Sequence, residues 1–503
     1  MKNKKNHIIK KGHYILFLIL SLVLFLRLFL AFQTPYLTGS DAYFVVRQVE
    51  SIRDTGFPIY NDTLSYGGRI NIFMPFYYYI LAFFSLFMQV EIAAKIIPNV
   101  FAALVVVLVY LISKEITKDE NASLFSAFIA GFIPIFFRET MNNASPYAFV
   151  FLIMLLCTYF FLKINRGNNV YYFLISLLIF AFSSPFVVVF LFGLLIYIAL
   201  IRLENIEQER VEIEVILFSV MFVVWFMFII YKKAFLEHGI SIIWQNIPKI
   251  ILKEHFSNIS ILSTIYQIGS LPLSYSIYSI YEHLFKTKER KFYVVIGLTF
   301  SAAILIWLKM IETNIGFMFI GIMTTLLFPK FYCTTFEYLK KTRFARLKPL
   351  YFAFLLLIFI IASVIPSVAY GVSSIKSTIK QEEYAALEWL KNQTDKDSVV
   401  LSTIEEGHYI TAIAKRKNVA DKNFLLQNDA EQRVKDIEGI YASKFETEAV
   451  RLLNKYNIGY IYFSNNAKKE FNITDLKYTQ DSECFDLKYN KGVQIYKVKC
   501  RLE

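Results

Sequence analysis

The sequence has no internal repeat and no low-complexity segment, and no carboxylate falls in the middle of its apolar blocks. Transporters are commonly built from repeated halves with charged residues or broken helices at mid-membrane, so these lacks weigh against a transporter or flippase. No small-residue cleavage site follows the first apolar block, Tyr14 to Phe32. That block is also too long for a signal-peptide core, and it reads as an uncleaved span. Cysteine is scarce at four residues. Acids are outnumbered, 40 against 53 Lys and Arg, for a net charge of +13. A basic balance can mark a nucleic-acid partner, but in polytopic proteins Lys and Arg accumulate in cytoplasmic loops because they resist translocation. That explanation suffices, and no nucleic-acid partner is expected.

What is abundant is apolar surface: 56% of residues are hydrophobic and 17% aromatic. The excess lies before Tyr370, in blocks about as long as the roughly 20 residues that cross a bilayer core. The expected spans are 13–33, 94–113, 122–138, 144–163, 169–184, 185–202, 212–232, 260–281, 291–309, 313–329 and 348–369. With the basic amino terminus inside, the loops 163–166, 202–214, 282–291 and 330–348 are also inside. They carry Lys286, Lys288, Arg290, Lys291, Lys340, Lys341, Arg343, Arg346 and Lys348, as the positive-inside rule requires. The first outer loop is then 34–93 and the large outer loop 233–259. The segment 72–90, with Tyr77, Tyr78 and Tyr79, is read as an interfacial helix rather than a span, because counting it would reverse every later loop.

The fold expected is a polytopic α-helical membrane domain of about eleven spans over 1–370, followed by a small extracytoplasmic α/β domain over 371–503. In that tail, Gln381–Lys391 reads as a helix with Tyr384, Leu387 and Leu390 on one face. Val399–Ser402 reads as a buried strand, Thr447–Tyr456 as a helix and Tyr460–Phe463 as a strand. Phe485–Tyr489 and Val493–Val498 flank Asn490-Lys491-Gly492, a hairpin turn. Cys484 and Cys500 lie almost symmetrically about it and can pair outside the cytoplasm, leaving Cys157 and Cys333 free. The location expected is the plasma membrane.

Chemistry is sought first in Thr38-Gly39-Ser40-Asp41-Ala42-Tyr43-Phe44, just beyond the first span. Asp41 reads either as the N-cap of the helix that follows or as a carboxylate at the lipid–water boundary, able to take a proton or bind a metal ion. Arg47, Arg53 and Arg69 can fork a phosphate or pair with Glu50, Asp54 and Asp62. Lys309 and Glu312 sit near a membrane boundary, where a mutual ion pair is the alternative to function. His238 and His255 flank the large outer loop with no metal-ligand spacing.

Ser40-Asp41-Ala42-Tyr43-Phe44 after the first span resembles the first acidic motif of oligosaccharyltransferase catalytic subunits, members of the GT-C class of membrane glycosyltransferases. The resemblance runs on through Phe73–Pro98 and Phe137-Arg138-Glu139-Thr140-Met141, which is similar to the family's second outer loop. In the tail it takes in Glu388-Trp389-Leu390, Val399-Val400-Leu401-Ser402 and Glu406-Gly407-His408-Tyr409-Ile410. It implies a sugar or oligosaccharide donor on a polyprenyl (dolichyl-type) phosphate or diphosphate, and a protein, glycan or lipid acceptor outside the cytoplasm. It makes Asp41 the catalytic acid and the metal ligand, with a divalent cation (Mn or Mg) as cofactor. Glu139 and Glu237 become supporting acids. Arg138, with Arg47 and Lys309, is placed on the donor phosphate, and Glu405, Glu406 and His408 on the acceptor.

The chain departs from the family pattern at several points. Ser145, with Asn142 and Asn143 nearby, stands where the family has a metal-binding Asp. Trp244-Gln245-Asn246 occupies the place of an activating Glu, with Glu237 and Glu254 as approximate substitutes. Thr403-Ile404-Glu405-Glu406-Gly407 replaces the acceptor-reading Trp-Trp-Asp-Tyr-Gly, and Lys309 and Glu312 are the charges nearest an absent donor-binding arginine. An amide nitrogen has a delocalised lone pair and calls for several carboxylates and a metal ion. A hydroxyl needs one base. The altered motifs therefore favour a hydroxyl acceptor over an asparagine, and they leave a catalytically inactive relative as the third reading.

Overall fold

The computed structural model describes residues 2–239, 260–423, 427 and 429–501. Most of the large outer loop, with Trp244-Gln245-Asn246, Glu254 and His255, lies outside them, as do the side chains of Glu237 and His238. The chain divides into a helical unit (1–34, 74–77, 95–376) and a second unit (35–73, 78–94, 377–503). This grouping sets the first outer loop with the tail, where hydropathy places a single cut near 370.

The helical unit is built largely from α1 (Lys2–Ala31), α4 (Val90–Thr117), α5 (Glu120–Ala130), α6 (Pro134–Thr140), α7 (Tyr147–Phe161), α8 (Asn169–Ser183), α9 (Val187–Leu203) and α10 (Arg210–His238). Helices Ile261–Ile268, Ser270–Glu282, Arg290–Trp307, Thr313–Lys341, Lys348–Phe359 and Ile365–Lys376 complete it. By length and composition, six helical stretches among the described residues are apolar enough to cross a membrane, or seven if α5 and α6 form one broken span. The chain is multi-pass. The expected span 122–138 is that broken pair, bent by 48°. Asp119 caps α5 by accepting from the Ala122 N–H at 2.8 Å, and Pro134 opens α6, where its missing N–H costs nothing. The expected span 260–281 is likewise two helices, parted at Gly269. Helix α9 and Arg290–Trp307 pack backbone to backbone. A Cβ on Gly297 would come within 2.6 Å of the Gly193 carbonyl oxygen, and small residues at such contacts let apolar helices approach closely. Arg27 of α1 is buried, donating to Asn99 at 2.9 Å and Thr140 at 2.5 Å and lying 4.8 Å over the Phe137 ring. Helix α3 (Phe76–Ser85), ten residues and therefore about 15 Å long, is too short to span.

In the second unit, α2 (Ser40–Thr55) buries Phe44, Val45 and Val49. A two-residue ladder, β1 (Asn61–Asp62) against β2 (Arg69–Ile70), closes the first outer loop. The tail sheet has the order β4 (Lys417–Asn418), β3 (Val399–Leu401), β5 (Ile458–Phe463), β7 (Val493–Val498) and β6 (Phe485–Lys491). Strands β4, β3 and β5 run parallel, and β7 and β6 are the antiparallel hairpin expected around Gly492. Cys484 and Cys500 form the disulfide across its base, while Cys157 and Cys333 are free. Helix Gln381–Gln393 buries Leu387 and Leu390, and Tyr384 stacks on Tyr36 at 4.9 Å. Helix Ala430–Ala442, which periodicity did not reveal, buries Val434, Ile437 and Tyr441. The first outer loop joins this sheet through its backbone: the Asn418 N–H donates to the Leu64 carbonyl at 2.9 Å, and the Tyr66 N–H donates to the Asn418 carbonyl at 2.9 Å.

Candidate active site

The polar centre of the second unit forms where the parallel strands β3 and β4 end. Open α/β sheets bind ligands beyond the carboxyl ends of their strands, since that is where loops can present side chains. The chain leaves β3 into helical turns over 404–414 and leaves β4 into Val419-Ala420-Asp421-Lys422. These two segments touch at Gly407. A Cβ there would lie 2.3 Å from the Ala420 carbonyl oxygen and 2.5 Å from the Asp421 Cβ, so only glycine permits the approach. The Asn418 side-chain amide secures the contact by donating to the Gly407 and Ala420 carbonyls (3.2 and 3.1 Å) and to the Asp421 carboxylate (3.0 Å).

This packing sets His408 between two acids. Its Nδ1 is 3.5 Å from Oδ2 of Asp421 and its Nε2 3.9 Å from Oδ1 of Asp41. The imidazole is buried and lies against the Phe44 ring at 5.1 Å. Asp421 is buried too and receives Arg69 Nη1 and Nη2, the latter at 2.8 Å. Arg69 also donates to Asp62 at 3.1 Å, and Arg47 grips Asp62 with two bonds of 2.7 and 3.0 Å. Two carboxylates and two guanidiniums thus compensate one another out of water. Burial opposes ionisation of Asp421 and Asp62, but the cations beside them win and hold both below the usual carboxylate range. His408 goes the other way: burial holds it below its usual value, against the pull of Asp421 and Asp41.

Asp41 is the open member of the cluster, its side chain 59% exposed. It is not the helix N-cap; Gly39, at φ 78°, takes that position, and Asp41 sits in the first turn, where a carboxylate meets the positive end of the helix dipole. The Lys422 ammonium bridges Asp41 (3.4 Å) and Glu405 (2.9 Å). Burial disfavours that charge, but the two carboxylates hold it above the usual lysine range. Glu406 turns inward, where Thr403 Oγ1 donates to it at 2.9 Å, and burial pushes its carboxyl up to about 7.

Among the residues named from sequence, the structure brings Asp41, Glu405 and His408 together. Arg47 is committed to Asp62, as Arg53 is to Asp54, the ion-pair alternatives for these arginines. In the helical unit, Arg138 is paired with Glu139 at 2.6 Å and lies 5.3 Å over the Tyr370 ring, and Lys309 is exposed in a left-handed turn at φ 55°. Asp421 and Lys422 were not singled out from sequence; their position just past a parallel strand was the available signal. Among the described residues, one group of three His, Cys, Asp or Glu side chains is close enough to share a metal: Glu446 with Cys484 and Cys500, whose sulfurs are joined in the disulfide.

Residues 74–231 match the family model described as dolichyl-phosphate-mannose-protein mannosyltransferase. Dolichyl-phosphooligosaccharide-protein glycotransferases 2 and 1 of Archaeoglobus fulgidus are 36% identical over 128 residues and 32% identical over 134. Those matches take in 24% and 25% of this chain and 21% and 23% of the relatives, so the chain spans about a fifth of the curated relatives it matches. The crystal structure of an A. fulgidus oligosaccharyltransferase tethered to an acceptor peptide with the NVT sequon superposes with a TM-score of 0.66 at 14% identity, covering 90% of this chain and 69% of that one. AglB from the same organism, in complex with an inhibitory peptide and a dolichol-phosphate, gives 0.65 at 15% identity, with the same 90% and 69% coverage. ArnT from Cupriavidus metallidurans, bound to undecaprenyl phosphate, gives 0.53 at 10% identity over 97% and 98% of the two chains. The fold is that of the GT-C class, and the chain resembles the catalytic subunit of archaeal oligosaccharyltransferase.

Proposed function

We propose that this protein is a membrane glycosyltransferase that moves a sugar or oligosaccharide from a polyprenyl (dolichyl-type) phosphate or diphosphate to an acceptor hydroxyl outside the cytoplasm. About eleven spans, an inside amino terminus and an outside tail belong to this reading and are supported by the basic character of the loops 282–291 and 330–348. The observation that carries it is the contrast within the second unit: Asp62 and Asp421 are buried in ion pairs, whereas Asp41 is exposed beside His408 and Lys422. In the reaction, the acceptor O–H gives its proton to Asp41 as its oxygen bonds to the anomeric carbon. The bond from that carbon to the carrier phosphate oxygen breaks, and the phosphate leaves with the electron pair. His408, oriented from behind by Asp421, fixes where the Asp41 carboxylate points, and Glu405 lies beside the place where an acceptor enters.

A divalent cation fits this unit poorly. Mg or Mn asks for a shell of about six oxygens. Among the described residues of the unit, Asp41 has an imidazole at 3.9 Å and an ammonium at 3.4 Å as neighbours, and the nearby Glu405 carboxylate is paired with that same ammonium at 2.9 Å. No step of the transfer is written through a metal ion.

The test uses membranes bearing the full chain, dolichyl-phosphate [14C]mannose or a dolichyl-diphosphate oligosaccharide as donor, and label incorporated into membrane acceptors as readout. Asp41→Asn is expected to lower transfer by about 100-fold or more, as loss of a general base does, with the protein still inserted. Transfer at the wild-type rate by Asp41→Asn would overturn the reading.

A further inference from the structure

A second charged site lies in the helical unit, among loops that the span assignment places on the inner side. Glu115, near the end of α4, is a single largely buried carboxylate shared by four cations. Lys291 reaches it at 2.5 Å, Lys118 at 3.1 Å, Arg166 at 3.2 Å and Lys163 at 3.9 Å. Beside it opens a cavity of about 180 Å³ whose charged lining is Lys163, Arg166, Arg290 and Lys291 with Glu209 and Glu212. Arg290 carries its own acids, Glu212 at 2.5 Å and Glu209 at 3.1 Å. Four cations and two carboxylates thus line the cavity, and Glu115 with Lys118 adjoins it, a surplus of two positive charges. The positive-inside rule explains why Lys and Arg are on this side, but not why four of them converge on one carboxylate. Like charges held this close repel unless an anion joins them, and the first turn of helix Arg290–Trp307 adds the positive end of its dipole. The cavity is smaller than the 300–1,000 Å³ or so of a drug-sized ligand site and suits a compact polar group. Arg and Lys side chains around it supply the forked and point-charge donors that phosphate oxygens accept.

We propose that this cavity binds a phosphate-bearing anion, either the headgroup of an acidic phospholipid or free inorganic phosphate, at a site separate from the one around Asp41. Because the surplus is set by how many carboxylates share the cations, the site has an unusual sign. Removing Glu115's charge strengthens binding, while removing cations weakens it.

The experiment is native mass spectrometry of the purified full chain in neutral detergent, titrated in parallel with phosphatidylglycerol, phosphatidylcholine and inorganic phosphate. Wild type is expected to hold one phosphatidylglycerol or one phosphate in preference to phosphatidylcholine. Retention of phosphatidylglycerol alone identifies the headgroup, and retention of inorganic phosphate as well identifies the bare anion. K163Q/R166Q should weaken that binding about tenfold or more, the worth of charge-assisted bonds to phosphate. K340Q/K341Q, with the same change in net charge elsewhere, should leave it unchanged. Glu115→Gln should bind several-fold more tightly, a gain that misfolding cannot produce. Equal binding by K163Q/R166Q and wild type, equal loss in both double variants, or weaker binding by Glu115→Gln would each overturn the proposal.

Discussion

His408 Nδ1 stands 3.5 Å from Asp421 Oδ2, at ion-pair distance and in a buried setting, with Asp41 3.9 Å from the opposite ring nitrogen. Burial keeps the imidazole below its usual value despite two acids beside it, with Arg69 and Lys422 adding to the opposition. The neutral ring is therefore the folded form near pH 7. A histidine with a depressed folded value takes up its proton more readily in the unfolded chain, so stability falls as pH drops below about 6.5. Relative to wild type at the same pH, the second unit of His408→Gln is expected to gain protection from hydrogen exchange as pH falls below about 6.5, on top of the opposite slope that buried Glu406 gives both proteins. His408→Gln should also lower transfer with little change in acceptor KM, because it acts through Asp41's orientation. Parallel pH curves for the two proteins would dismiss the neutral-histidine account.

Arg69 is the keystone of the buried pairs, since among the described residues it is the cation paired with both Asp62 and Asp421. Arg69→Leu leaves Asp421 buried with no compensating guanidinium, and such a loss costs about 3–5 kcal/mol. The double variant Arg69→Leu/Asp421→Leu removes that stranded charge. It is expected to be more stable than Arg69→Leu alone, although Asp421→Leu by itself is destabilising. Thermal unfolding of the four proteins gives the coupling directly, and additive losses would show that the pair carries no shared energy.

What the sequence revealed and what it hid follow from the range of the interactions. Helix 381–393, strands β3 and β5, the hairpin and the Cys484–Cys500 bridge were all legible because each is specified by residues within a few positions of one another. The union of the first outer loop with the tail was not. Arg69 and Asp421 are 352 residues apart, and nothing near either one announces the other. The apolar blocks showed where helices run but not where they break: 260–281 divides at Gly269, and 122–138 bends ahead of Pro134. Asp41 was singled out as a candidate from its place after the first span, and its reading as a cap failed. Gly39, two residues earlier, already holds the φ of 78° at which the helix begins.

Glu405 and Glu406 are adjacent in sequence and opposite in situation, which makes them a test of the acceptor side of the site. Glu405 is partly exposed and paired with Lys422, whereas Glu406 is buried against Thr403 with its carboxyl raised to about 7. A raised carboxyl favours folding while protonated, so its contribution is fully present below about pH 4.5 and is lost as pH rises through 7. At pH 8 the ionised, buried Glu406 costs about 3 kcal/mol, from roughly 1.4 kcal/mol per pH unit. Glu406→Gln is therefore expected to raise the melting temperature of the second unit at pH 8 and to leave it unchanged near pH 4.5, with transfer activity intact. Glu405→Gln should do the reverse, leaving stability within about 0.5 kcal/mol, as surface changes do, while raising acceptor KM. If Glu406→Gln were the variant that altered acceptor KM, the inward carboxylate would have to belong to the binding surface, and the division of labour between the two glutamates would fall.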